Sequence, residues 1–309
     1  MLRFILGRLG YGLLTVWFIA TATFAGMHAV PGDPLLDARA VAPEIRRNLE
    51  ARYGLDQPLA LQYLRYLGNM ARGDFGVSFT QQNREVNDII REHFPVSALL
   101  GVLAIGFAAL GGVFWGVITA RTAGRWPDAL VMFLVVLCIS VPGFVLAALA
   151  QLGVLRLNAW AGVSLLPVAG WGGPAHMLVP ALVLGLGTMA FLTRLMRTSM
   201  LEVRGAAYVR TARAKGLSET VVVIKHALRN ALTPVITLGA LELGTLLSGA
   251  VLTEQVFTIP GFGKLIIDAV FNRDYAVVQG VVLVTATAYI LLNLMADMAY
   301  FVFNPRLRH

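Results

Sequence analysis

Two carboxylates, Glu242 and Asp297, stand inside long apolar stretches of this chain. An ionisable group at membrane depth is costly and by default functional. The chemistry it would serve is passage of a proton, an ion or a charged solute. Neither has a matching Lys, Arg or His at the same depth, so a proton relay does not follow. Asp297 lies within two turns of the end of its stretch, where it can snorkel or meet an Arg; Glu242 suits a water-filled path or a partner subunit. Other chemistry is poorly supplied. Gly261-Phe262-Gly263-Lys264 lacks the upstream Gly of a phosphate-binding loop and is followed by Leu265, so the chain has no P-loop for ATP. Gly185, Gly187 and Ala190 fit a loose dinucleotide fingerprint but sit in an apolar helix with no strand before it, where small residues serve helix packing. The five His are scattered, no H-E-x-x-H or G-x-S-x-G occurs, and Ser248-Gly249 finds no His in spans three and six. The lone Cys138 excludes an intrachain disulfide and a cysteine metal cluster. We therefore expect no enzyme activity, no metal and no cofactor in this chain.

These residues are carried by elements that cross a bilayer. The chain has 309 residues, 57% of them hydrophobic and 14% charged, against roughly 25% charged in an ordinary soluble domain. Several stretches reach the ~20 apolar residues needed to cross a ~30 Å hydrocarbon core. We read an all-α integral membrane protein with six spans, near Leu9–Val30, Pro95–Ala120, Asp128–Gly153, His176–Leu195, Leu232–Leu252 and Val277–Phe303. The N-terminal apolar run lacks an A-x-A-like site and reads as a retained first span. With the N-terminus inside, the inner segments carry fourteen Lys/Arg and the two short outer loops three, which places both termini in the cytoplasm. The net charge of +8 thus reflects topology and contact with the lipid bilayer, not nucleic acid.

The division expected is an N-terminal span (1–30), an extracytoplasmic helical segment (31–94), a transmembrane core (95–303) and a cytoplasmic tail (304–309). In the outer segment Pro43 and Gly54 bracket one helix, and Pro58 and Gly73 a second. Leu61, Leu64 and Tyr63, Leu67 make an apolar stripe on the latter. Gly112 and Gly116, and the ridge Ala240, Gly244, Ser248, predict close helix packing. Pro142-Gly143 should bend the third span. Pro142 and Glu242 are the candidates for lining a translocation path.

The inner segment near 197–231 is the most structured of the loops. Arg194, Arg197, Arg204, Arg210, Arg213, Lys215, Lys225 and Arg229 face only two acids, Glu202 and Glu219. Gly216 suits a left-handed helix end; Ser218 can cap the next helix, with Glu219 at its positive end. Two short helices forming an L, an ordered cationic elbow, imply a docking surface for a soluble partner.

The string YVRTARAKGLSETVVVIKHALRNALTP at Tyr208–Pro234 resembles the cytoplasmic coupling loop of binding-protein-dependent ABC importer permeases, in the dipeptide, oligopeptide, glutathione and nickel branch. Against the general EAA-x3-G-x9-I-x-LP pattern, Arg210-Thr211-Ala212 stands over EAA, His226 over Ile and Leu228-Arg229 over LP; only Ala212, Gly216 and Leu228 match. Further matches are PGDP (Pro31–Pro34), RYGLDQPLALQYLRYL (Arg52–Leu67), GDFGVSF (Gly73–Phe79), RWPD (Arg125–Asp128), VFTIPGFGKLIIDAVFNRDY (Val256–Tyr275) and the ending NPRLR.

The resemblance implies a type I importer fold in a bacterial inner membrane. It implies a second homologous permease subunit, two cytoplasmic ATPase subunits that bind ATP and Mg, and an extracytoplasmic solute-binding protein. Tyr208, Arg210, Thr211, Ala212, Arg213, Lys215, Gly216, Leu217, His226, Leu228, Arg229 and Asn230 would meet the ATPase. Asp33, Asp56, Asp74, Phe75, Pro260, Gly261 and Phe262 would meet the binding protein. Small peptides are the expected cargo, with nickel import by the same machinery, or an ATP-independent secondary transporter, as the alternatives.

Overall fold

The computed structural model describes residues 2–29, 50, 54–81 and 84–303, without the side chains of 2–5, 240–241, 243–249, 296 and 299–303. The helix expected between Pro43 and Gly54, the residue Asp33, the Ala240/Gly244/Ser248 ridge and the tail all fall outside that description. The described elements are helices, α1 (Leu2–Ala29), α2 (Leu59–Ala71), α3 (Val86–Arg121), α4 (Trp126–Ser140), α5 (Gly143–Ala161), α6 (Pro174–Arg204) and α7 (Ala207–Ala214). Then come α8 (Glu219–Val221), a π-helical stretch Val222–Leu228, α9 (Arg229–Gly249), α10 (Val251–Phe257), α11 (Phe262–Phe271) and α12 (Tyr275–Phe303). Six helical stretches among the described residues are long and apolar enough to cross a membrane. Their large apolar side chains, such as Leu13, Phe18, Leu110, Phe114 and Leu149, are exposed, which fits a lipid surround.

Two of the expected spans differ in detail. The third does not bend; it breaks. Val141 (φ −89°, ψ 126°) and Pro142 (φ −55°, ψ 136°) are both extended, separating α4 from α5. Proline disfavours helical backbone in the residue before it as well as removing its own N–H, so two consecutive residues leave the helix. The fifth begins earlier than expected. Helical backbone runs without interruption from Glu219 through the π stretch to Gly249, so the second arm of the elbow is the start of the fifth span.

The chain forms two compact units. Unit 1 comprises 1–97 and 260–290. Its core gathers Val86, Ile89 and Ile90 of α3, Phe262, Leu265 and Ala269 of α11, and Val277, Val278 and Val281 of α12. Helix α2, bracketed by Pro58 and the left-handed Gly73 (φ 73°) as the sequence predicts, lies against α1. Tyr63 OH and Thr21 Oγ1 share a hydrogen bond of 2.7 Å, Phe24 stacks on Tyr66 at 5.7 Å, and His28 Nε2 is 3.4 Å from Gln62 Oε1. The packing row is therefore Gln62, Tyr63 and Tyr66. Leu61 and Leu64, expected in the apolar stripe, are exposed.

Unit 2 comprises 98–259 and 291–309. Its core is the α3–α6 contact together with the elbow: Ala108, Ala120, Leu192, Met196, Met200, Val209, Val222, Val223, Ala227 and Val235 are all buried. Gly112 and Gly116 do what their spacing predicts. A Cβ on Gly112 would stand 2.6 Å from Leu192 Cβ, and one on Gly116 would stand 2.5 Å from Met196 Cβ and 2.9 Å from the Thr193 carbonyl. Gly185 returns the contact, with the Ala104 carbonyl 2.6 Å from the position of its missing Cβ. Backbones approach this closely only where side chains are absent.

Candidate functional site

Three places in the structure hold the residues singled out by the sequence. The first is the elbow of unit 2. Gly205 and Ala206 turn the chain out of α6 into α7, whose inward face is Val209 and Ala212. These pack on Val222, Val223 and Ala227 of the π stretch. Gly216 has φ 76°, the left-handed conformation expected of it, and open space where a side chain would go. Ser218 occupies the cap position of the next helix but makes no side-chain capping bond. The turn is clamped instead by Arg213, whose Nε and Nη2 donate to the two carboxylate oxygens of Glu219 at 3.0 and 2.7 Å. Such a surface pair contributes at most about 1 kcal/mol, so Arg213→Ala should barely move the melting temperature of the purified chain; a drop of many degrees would contradict this.

With the apolar side turned inward, the other face of the elbow carries Tyr208, Arg210, Thr211, Lys215, Leu217, Lys225, Arg229 and Asn230, all exposed. Ile224 is 60% exposed and Val221 40%, so the surface mixes aliphatic side chains with cations. His226 and Leu228 are half-buried and Ala212 is buried, so these three shape the elbow from within. The π stretch, read from the sequence as ordinary helix, places Val222 and Val223 side by side in the core. Such single π turns recur at functional positions.

The second place, also in unit 2, is a cavity of about 670 Å³ at the break between α4 and α5. Pro142 and Glu242, both named from the sequence, line it together with Thr188, Arg194 and Cys138. Thr188 Oγ1 lies 3.5 Å from Glu242 Oε2. Asp297 is half-buried on α12 and does not line this cavity. Near the same helices is a contact the sequence reading missed. The Asp128 carboxylate at the start of α4 accepts Nε and Nη2 of Arg197 on α6 at 2.7 and 2.8 Å, and the Gly124 N–H at 3.0 Å.

The third place, in unit 1, is the loop between α2 and α3 together with the start of α11. Asp74 and Phe75 lie on the loop between α2 and α3; Asp74 Oδ1 accepts the Gly76 N–H at 2.9 Å, and Asn87 Oδ1 accepts that of Phe75 at 3.1 Å. Asp56, Asp74 and Pro260 are exposed, Phe75 is half-buried, and Gly261 and Phe262 are buried. Phe262 packs on Phe94 with ring centroids 5.3 Å apart, and its N–H donates to Ser97 Oγ at 2.7 Å. Gly261 and Phe262 therefore anchor α11 and offer no outer surface. A further residue missed from sequence is Asp274, 1% exposed, which accepts donors from Ser78, Phe79, Thr80 and Val277. Close by, burial and the neighbouring Tyr63 push the Tyr66 hydroxyl above its ordinary range.

Six helical stretches long and apolar enough to cross a membrane, a charged cavity at a broken helix and an ordered cationic elbow are features that suit a transport component. Comparison with known proteins places it further. Residues 112–309 match the binding-protein-dependent transport system inner membrane component family, and residues 1–101 match the N-terminal model of such membrane components. The chain belongs to this family and is a permease subunit of a binding-protein-dependent transport system in an inner membrane. Among curated relatives, the dipeptide transport system permease protein DppB of Bacillus subtilis is 39% identical, covering 100% of this chain and 98% of the relative. DppB of Escherichia coli K12 is 41% identical over 100% and 99%. The glutathione transport system permease protein GsiC of the same strain is 37% identical over 100% of both. Among solved structures, the methionine ABC transporter MetNI in inward-facing conformations shares the fold, with a TM-score of 0.57 and 17% identity over 70% of this chain and 96% of that one.

Proposed function

We propose that this chain forms half of a translocation path that imports small peptides, of dipeptide, oligopeptide or glutathione-like kind, into a bacterial cytoplasm with both termini on the inner side. The cargo reading is supported by relatives named for dipeptide, oligopeptide and glutathione transport. A second homologous permease would complete the path, an extracytoplasmic solute-binding protein would deliver cargo, and two cytoplasmic ATPase subunits would hold ATP and Mg. In this arrangement the 1–30 span, the 31–94 outer segment, the 95–303 core and the 304–309 tail serve separate roles.

One observation carries the energy-coupling part of the reading. The elbow is ordered, its apolar side is spent inside the protein, and its outer face still presents Tyr208, Leu217, Val221 and Ile224 among Arg210, Lys215, Lys225 and Arg229. A cation belt alone would serve topology; exposed aliphatic groups on an ordered frame suit a groove with acidic walls on a partner. Closure of the ATPase pair around ATP would carry both elbows together. Because α8, the π stretch and α9 are one continuous helical run, movement at the elbow reaches Glu242 without a hinge between them. ATP shifts the conformational equilibrium only through contacts that differ between the two states.

Gly216→Val tests the coupling. Its Cβ would meet open space, so the cost is backbone strain alone, roughly 1–3 kcal/mol for a β-branched residue held left-handed. We expect normal membrane insertion with uptake reduced at least tenfold, whereas Gly216→Asn, which tolerates this conformation, should retain most uptake. Full uptake by the Val variant, or failure of the tagged chain to co-purify with an ATPase when its neighbours are co-expressed, would remove the reading.

A further inference from the structure

The cavity at the broken third span holds one carboxylate and one guanidinium, with the hydroxyls of Thr188 and Thr253 among mostly apolar walls. Glu242, half-buried, comes from α9; Arg194 comes from α6, one turn beyond Phe191 and on the row that also carries Thr188 and Gly187. The third contribution is backbone. By helix geometry the Gly143 and Phe144 N–H groups at the start of α5, and the last carbonyls of α4, have no partner within their helices. Pro142, which separates them, contributes no N–H. In a bilayer, irregular backbone is tolerated where it borders a water-filled cavity, and this break borders one.

Charge balance identifies the ligand. A bare cation would be drawn to Glu242 and repelled by Arg194; a bare anion would meet the reverse. Among the described residues no group of His, Cys, Asp and Glu could hold a metal ion. A molecule with a positive and a negative end satisfies both side chains, the half-buried Glu242 and the exposed Arg194. Apart from Thr188 and Thr253 the remaining lining, Val183, Leu184 and Phe191 among it, is largely apolar and makes little demand on what lies between the two ends. The volume of about 670 Å³ falls within the range of small-molecule sites.

We infer that this cavity is a transit site for a zwitterionic peptide, in which Glu242 receives the α-ammonium, Arg194 the α-carboxylate, and the broken helix hydrogen-bonds the peptide group between them. The inference rests on the peptide-import reading and assigns it a site within the permease. Selection by the two termini leaves the side chains free, which suits a carrier of many small peptides.

Cys138, the only cysteine of the chain, lines the same cavity and supplies the assay. The assembled complex in nanodiscs, without binding protein, is alkylated with a small maleimide, and modification of Cys138 is followed by mass spectrometry while alanyl-alanine is titrated. Phe144→Cys, at an exposed lining position, is a second reporter should Cys138 react slowly. Alanyl-alanine is expected to protect, and N-acetylation or C-amidation should each raise the half-protecting concentration at least tenfold. In Glu242→Gln the free dipeptide should weaken tenfold and N-acetylation should then make no further difference; Arg194→Gln should do the same for C-amidation. Equal protection by free and blocked dipeptides, or protection unchanged in both variants, would overturn the assignment. So would absence of protection in a complex that still imports alanyl-alanine, which leaves the peptide-import reading standing. A wild-type complex that imports no peptide at all would remove that reading instead.

Discussion

Arg197→Met is expected to destabilise the transmembrane core by about 3–5 kcal/mol, the usual cost of orphaning one member of a buried ion pair. Asp128 is only 5% exposed, and three donors hold its carboxylate: Arg197 Nε, Arg197 Nη2 and the Gly124 N–H. Without Arg197 a single amide would remain for a charge with little access to water. The first turn of α4 offers it the positive end of a helix, worth at most about 2 kcal/mol, too little to compensate. The pair itself is another matter. Desolvating two charges offsets most of their attraction, so Asp128→Leu with Arg197→Met should recover a large part of the loss. The measurement is thermal unfolding of the purified protein in one detergent for the wild type, both single variants and the double. A double variant as unstable as Arg197→Met would show that the ion pair is needed for more than charge neutralisation.

This pair also marks where sequence reasoning stops. Helix existence was legible because apolar stretches of membrane length have few other solutions. Two ends were legible too: Gly216 at φ 76° and Gly73 at φ 73° closing α2 each sit where only local backbone chemistry decides. The stripe on α2 was misjudged because Leu61 and Tyr63 are both apolar by type; only the position of α1 shows that the tyrosine row packs inward. Asp128 and Arg197 are 69 residues apart, and no periodicity links positions at that separation. Gly261 and Phe262 were taken for surface because they belong to a loop, yet Phe94 and Ser97 of α3 enclose them.

The π stretch could have been anticipated. Val223, Ala227, Ala231 and Val235 are all buried, and they recur at every fourth residue. An α-helix turns about 100° per residue, so each such step drifts roughly 40° away from the core. Wider i→i+5 turns at Val222–Leu228 take up part of that drift. The same reasoning explains why the elbow and the fifth span are continuous: one buried stripe runs through both. Pro142 was legible as an interruption but not as a complete break, because the extended conformation of Val141 doubles its effect.

Asp274→Ala should detach the loop that follows α2. The left-handed Arg273 (φ 56°) ends α11 and delivers Asp274 into the interior of unit 1. There Oδ1 accepts the N–H groups of Phe79 at 3.1 Å and Val277 at 3.3 Å. Oδ2 accepts the hydroxyl of Ser78, the hydroxyl of Thr80 at 2.8 Å and the Thr80 N–H at 3.3 Å. A carboxylate suits this position because every facing group is a donor. Alanine removes this acceptor, leaving the Thr80 N–H its second acceptor, Ser78 Oγ at 3.3 Å, at on the order of 1–3 kcal/mol for each donor that finds neither another acceptor nor water. Asparagine would be little better, since its amide N–H₂ must face donors on one side. Thr80→Ala removes one bond and should cost only about 1 kcal/mol. Hydrogen exchange at Phe79 and Thr80 should accelerate at least a hundredfold in Asp274→Ala and much less in Thr80→Ala. If Asp74 and Phe75 meet the binding protein as the family resemblance implies, its stimulation of ATP hydrolysis by the assembled complex should fall with the loop. Basal hydrolysis, which on the proposed coupling role is served by the elbow in the other unit, should persist. Unchanged exchange at Phe79 and Thr80 would show that the carboxylate is not what holds this loop, and a simultaneous loss of basal hydrolysis would show that the two units do not fail independently.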